Sequence, residues 1–214
     1  LNTAGENGLV KQLINKLNAN FDSKDKNIRT KTAEMMKNTF NAFQKSGSRE
    51  LTRFMGEKLV EAVEKETDSE AYENISSCLR QEANQGILEG DYAGASRILG
   101  VFIKHEEENN KATGQIMDNF IDKENIGLLV DDLLNDKPEI RDKAFEMLSK
   151  LSGRIYPYLI KVAANAENLR QRRLLINLII NQGPHAAAEF LRYLDDKLSV
   201  SQLLKILEVA DSFA

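Results

Sequence analysis

An all-α fold of antiparallel helix pairs is what this sequence predicts, and three observations predict it. Apolar residues recur at offsets of three and four, the buried stripe of an amphipathic helix, and no alternation of period two lasts long enough to build a strand. Only 3 prolines and 12 glycines occur in 214 residues, too few to punctuate the short strands of an all-β chain. A polar turn followed by an aliphatic residue and then an arginine comes back three times along the chain.

The first of these turns reads DKNIRTKTAEMM from Asp25, with Ile28 and Arg29 opening a helix whose inward face is Ala33, Met36, Phe40 and Phe43. The next helix, Leu51 to Val63, places Leu51, Phe54, Met55, Leu59, Ala62 and Val63 on one stripe. Thr67 with Glu70 offers a capping box for its partner, which turns Tyr72, Ile75, Cys78, Leu79 and Ala83 inward. That pair, Glu50 to Glu89, has its turn at Asp68 to Glu70 but lacks the arginine. The polar run from Glu106 to Asn110 is read either as a solvated helix end or as a break between two halves.

Beyond it, Asn125 to Asn135 reads as a first helix and Glu139 to Leu151 as its partner, entered through DKPEIRDKAFEML with Ile140 and Arg141. Ile155 to Ala164 follows through Tyr156, Pro157 and Tyr158. Its partner, Leu169 to Asn181, is entered through AENLRQRRLLINL with Leu169 and Arg170. Pro184 to Leu194 and Val200 to Ala210 form the last pair. The three arginine-headed helices are expected to end near Gly47, Gly153 and Gly183, glycine being the residue best suited to the left-handed conformation at a helix C-terminus.

The chain is long enough to bury a sizeable core, with 42% hydrophobic and 29% charged residues. A net charge of −4 argues against a surface built wholly to grip nucleic acid or anionic lipid. Cys78 is the only cysteine, so no intramolecular disulfide forms and a reducing, cytoplasmic location is expected. No apolar run reaches the length of a membrane span. The start at Leu1 reads as an excised fragment.

No constellation for catalysis or metal binding emerges. His105 and His185 are too few for an ordinary multi-histidine zinc site, and neither belongs to an H-E-x-x-H pair. Asp122, Glu124 and Gly127 outline an EF-hand loop, but Ile126 and Leu133 stand where ligands are needed. The adjacent carboxylates Asp131 and Asp132, and Asp195 and Asp196, diverge by about 100 degrees on a helix and do not converge on one atom. Phosphate-binding glycine loops and a nucleophile elbow are absent. Cys78 lies on an apolar stripe and is expected to be buried and inert. The chain is therefore read as non-enzymatic and without cofactor or metal.

The recurring turn, arginine and terminal glycine resemble the HEAT-repeat family. From Asn125 onward they resemble its short form of about thirty residues, seen in phycobilisome-lyase-like repeats. The resemblance implies a right-handed α-α superhelix, a HEAT or armadillo-like solenoid over residues 1–214, divisible into longer helix pairs at 1–108 and short repeats at 109–214. It also implies that Arg29, Arg141 and Arg170 bridge the polar groups of adjacent turns. By the same resemblance, the expected role is a scaffold or regulatory domain that binds a protein partner along its surface.

Charge points to where. From Arg154 to Tyr193 six basic residues face two glutamates, a net +4 that leaves −8 elsewhere. Arg172 and Arg173, which the repeat pattern does not require, are the candidate partner-binding residues, because planar guanidinium groups suit carboxylate or phosphate partners. Two alternatives stand beside this reading: nucleic-acid binding through the basic C-terminal repeats, as in HEAT-like alkylpurine DNA glycosylases, and a lyase-like or chaperone accessory role. The acidic total charge and the absence of tryptophan weigh against nucleic acid.

Overall fold

In a computed structural model of the chain, residues 3–109, 120–181 and 198–210, with Gly183 and Arg192, are described. Among them all regular structure is helical. The chain packs as two compact units, Leu1–Ile121 and Asp122–Ala214.

The first unit holds α1 (Thr3–Asn18), a 3-10 turn (Ala19–Asp22), α2 (Lys26–Lys45), α3 (Arg49–Val63), α4 (Ser69–Leu88) and α5 (Tyr92–Asn109). Each helix from α2 to α5 packs on its sequence neighbour, and α1 also packs on α3, α2 on α4 and α3 on α5. Odd-numbered and even-numbered helices thus form two layers. Between the layers lie Met36, Phe40, Met55, Leu59, Leu79, Leu99 and Phe102, all fully buried. Phe120 closes the unit: its ring lies 4.7 Å from that of Phe102, and its carbonyl accepts a 2.9 Å hydrogen bond from the buried Asn84 amide. α5 runs to Asn109, so the polar residues 106–109 are helical.

Local chemistry explains most starts and stops. Asp25, Asp68 and Asn168 cap α2, α4 and the later helix Leu169–Ile180, each accepting from a backbone N–H of the first turn. The expected capping box at Thr67 and Glu70 does not form. The cap lies one residue later, at Asp68, because the Thr67 and Asp68 N–H groups both donate to the Glu66 carboxylate, at 2.9 and 2.8 Å. A reciprocal box appears instead at Ser199 and Gln202: the Ser199 hydroxyl accepts from the Gln202 N–H, and the Gln202 side chain accepts from the Ser199 N–H.

Gly47 ends α2 as expected, at φ +70°, with Ser48 N–H donating to Phe43 and Gly47 N–H to Gln44. These two bonds make a Schellman cap. Gly90 does the same for α4, at φ +74°, with Asp91 N–H on Gly86 and Gly90 N–H on Ile87. Gly183 also has positive φ. Gly153 departs from expectation: it lies inside a 3-10 turn, Ser152–Ile155, that joins one helix to the next, so no left-handed residue is needed there.

The second unit holds α6 (Lys123–Leu133), α7 (Pro138–Leu151), that 3-10 turn, α8 (Tyr156–Asn165), α9 (Leu169–Ile180) and α10 (Val200–Ala210). α6 packs on α7, α8 on α9, α7 on α9, and α10 on both α8 and α9. Leu129, Leu133, Met147, Leu159, Leu175, Ile176, Ile179 and Ile206 are fully buried in its core. Pro138 opens α7, where a missing N–H costs nothing. The expected helix from Pro184 to Leu194, with His185, lies outside the described residues apart from Arg192, as do Asp195 and Asp196.

Candidate functional site

The arginines that head the repeats do not act alike. Arg29, at the start of α2, places its Nε 3.1 Å from both carboxylate oxygens of Glu66 and donates from Nη1 to the carbonyl of Ser23 at 3.0 Å. Glu66 lies in the turn between α3 and α4 and is 1% exposed at its side chain. Arg29 therefore ties the turn before α2 to the turn before α4. Beside it Lys26 pairs with Asp68 at 2.9 Å, and Thr30 donates to Asp68 at 3.1 Å. The Lys26 hydrogen bond, helped by the Ala71 N–H, holds the Asp68 carboxyl at about 2. Arg170 reaches back instead, to Asp136 before α7, at 4.0 Å between two exposed side chains. A pair so solvated contributes little. Arg141 is half-buried on α7.

A second polar network was not legible in sequence. Arg49, at the head of α3, donates from Nη1 to Glu82 at 2.6 Å and from Nε to Glu89 at 2.7 Å, while Arg53 pairs with Asp91 at 3.0 Å. Burial pushes the Glu82 carboxyl up, against the pull of Arg49. Glycines make room for this network. A Cβ on Gly56 would stand 3.0 Å from the Glu82 chain, and one on Gly94 would stand 2.8 Å from the Asp91 carboxylate. Beside them lies a cavity of 290 Å³ whose wall includes Arg53, Glu82, Asp91 and Arg97. Gly56 and Gly94 in this wall are thus accounted for by packing of the chain's own carboxylates, and Gly86 by the close approach of the Asp91 carbonyl and Ala95.

The two candidate arginines of α9 separate. Adjacent residues on a helix diverge by about 100°. Arg172 turns inward, 8% exposed, and its Nη1 donates to the Lys205 carbonyl of α10 in a long 3.4 Å bond. Arg173 faces solvent. With Arg170, three residues earlier and also exposed, it forms one cationic edge of α9. α10 carries Val200, Leu204 and Leu207, large aliphatic residues left exposed.

The other singled-out residues have structural surroundings. Cys78 is 1% exposed, and burial pushes its thiol up to about 12, which keeps it protonated and unreactive. His105 stacks on Tyr72 with ring centroids 4.7 Å apart. In the EF-hand-like stretch Leu133 is fully buried, and a Cβ on Gly127 would meet the Tyr158 hydroxyl at 3.2 Å. Asp131 is exposed and Asp132 half-buried. Among the described residues no three His, Cys, Asp or Glu side chains gather as a metal site, and no helix is long and apolar enough to cross a membrane.

No family model matches the chain, and no curated protein matches it. It is similar to two crystal structures of engineered proteins. One aligns over 93% of this chain and 96% of its own, at 15% identity and a TM-score of 0.36. The other aligns over 92% and 67%, at 13% identity and a TM-score of 0.30. A likeness at this level carries no argument about fold or function.

Proposed function

We propose that this chain is a non-enzymatic, HEAT or armadillo-like helix-repeat module of the cytoplasm that binds a protein partner along its surface. The observation that carries the proposal is the packing of the first unit, where each helix touches its sequence neighbour and the helix two places on. Repeated helix pairs stacked in this way offer extended faces for a partner. The inter-turn bridge of Arg29 supports the same reading, since it links successive turns as the family's arginine does. The partner contact is the cationic edge of Arg170 and Arg173; Arg172 supports it from behind through Lys205.

Affinity capture with the full chain tests this. Capture of a defined protein partner by the wild type is expected, with loss in an Arg170→Glu/Arg173→Glu variant whose circular dichroism and melting temperature are unchanged. Equal capture by that variant would remove the edge from the binding surface. Retention of nucleic acid with an affinity that falls steeply with salt would favour the nucleic-acid alternative. Arg172→Glu is a poor binding probe. It puts a negative charge at a buried site and should lower stability by several kcal/mol.

A further inference from the structure

We infer that the first unit docks an antiparallel helix pair of a partner protein on the faces of α1 and α2 turned away from α3 and α4, with an acidic side chain of the partner set on Lys31. This surface is independent of the arginine edge on α9. The unit's own packing is the template. α2 and α4 are both 20 residues long, and their aspartate N-caps, Asp25 and Asp68, are 43 residues apart. The left-handed glycines that end them, Gly47 and Gly90, keep the same interval. In the preceding turns the Ser23 hydroxyl accepts from the Asp25 N–H as the Glu66 carboxylate accepts from the Asp68 N–H. Position for position, α4 is α2 one repeat later.

α4 shows what such a helix carries where a neighbour covers it. Lys26 and Thr30 of α2 reach Asp68, and Lys37 reaches the Asn74 side chain at 3.0 Å. Lys37 is also near enough for its charge to act on Cys78. The line that α2 meets, Asp68, Ala71, Asn74 and Cys78, steps by three and four along one face, and Ala71 and Cys78 are completely buried. The same positions on α2 are Asp25, Ile28, Lys31 and Met35. All four are exposed, Ile28 by 44% and Met35 by 53%. α1 repeats the arrangement in the other layer. Its Asn7 and Lys11 bond to Glu50 of α3, whereas Leu9 and Leu13, each two residues on and so about 200° around the helix, are 64% and 60% exposed. Stacked repeats that end in water present a polar outer face; here the outer face is aliphatic in both layers.

The template also fixes the chemistry of the occupant. A helix lying on α2 as α2 lies on α4 brings its counterparts of Lys26 and Thr30 to Asp25, and its counterpart of Lys37 to Lys31. A cation or a hydroxyl suits the first site, as at Asp68. At the second, an exposed ammonium stands where α4 has the accepting amide oxygen of Asn74, and Lys31 pairs with no carboxylate among the described residues. An acidic side chain fits there and a lysine is repelled. A second copy of this chain fits less well, because its own α2 bears Lys37 at that position and α4 already occupies the face that carries it.

The test uses the full chain and a fluorescently labelled synthetic helix pair with the sequence of residues 3–47 and Lys37→Glu. Ile28→Gln/Met35→Gln in the synthetic pair prevents it from stacking on itself, and staples on its solvent side hold it helical, as circular dichroism verifies. Anisotropy should report saturable binding to the chain. Binding should weaken at least about tenfold when the chain itself carries Ile28→Gln/Met35→Gln, the size expected when central anchors are lost. Both side chains are exposed, so that variant should keep the wild-type melting temperature. The synthetic pair with Lys37 retained should bind about threefold more weakly, the size of an exposed ion pair, and Lys31→Glu in the chain should reverse the preference. The Arg170→Glu/Arg173→Glu chain should bind the pair as the wild type does. Absence of binding, equal binding by the Ile28→Gln/Met35→Gln chain, or a charge preference that ignores Lys31 would each overturn the inference. So would a dimer in sedimentation that disperses in the Ile28→Gln/Met35→Gln chain, because the face would then belong to a second copy.

Discussion

Arg29 and Glu66 are 37 residues apart in sequence, yet the carboxylate is nearly inaccessible and accepts from the arginine and from two backbone N–H groups. A buried charge that loses its partner keeps its desolvation penalty, so Arg29→Ala should cost about 3–5 kcal/mol in urea unfolding. Lysine should restore only part of this, lacking the second donor that reaches Ser23. Asp68 makes a prediction of a different kind. Its pKa lies below the ordinary aspartate value, so its contribution to stability is complete above that value and is lost as the pH falls through it toward about 2. Unfolding free energies of the wild type and Asp68→Asn should therefore converge between pH 5 and pH 2. A constant difference would show that the Lys26 pair has no part in folding.

Helix boundaries follow from single residues with identifiable roles. Gly47 and Gly90 both hold positive φ with open space around a would-be Cβ, so alanine at either is opposed by the backbone alone. Each substitution should cost about 1–2 kcal/mol. Gly153→Ala should lack this penalty, because the 3-10 turn there continues in right-handed conformation. Thermal melts of the three variants would distinguish a left-handed cap from an ordinary turn. The glycine rule was legible at Gly47 in sequence and misled at Gly153, because a short 3-10 link satisfies the last carbonyls of α7 as well as a cap does. Gly90 was missed because no arginine-headed turn announces α4.

Two compact units mean two cores. Buried side chains of the first unit run from Ile14 to Phe120, and a unit with its own core can fold alone. Residues 1–121 expressed by themselves should unfold in one cooperative transition with the far-ultraviolet signature of helix. A gradual, non-cooperative melt would mean that the first core needs the rest of the chain. The second unit carries the arginine edge proposed for binding, and its fold is built on the same pairing of neighbouring helices.

The sequence by itself determined the helices, because helical periodicity and polar turns are local signals: α7 and α10 lie within one residue of their expected ends, and Cys78 faces inward as its apolar stripe requires. It also marked the basic stretch of α9. Tertiary structure alone decided which of two adjacent arginines faces solvent, which carboxylate Arg29 bridges, and that Glu82 is buried beneath Arg49. These outcomes depend on how helices far apart in sequence set against one another. A one-residue step around a helix turns a side chain by about 100°, and composition does not register that turn.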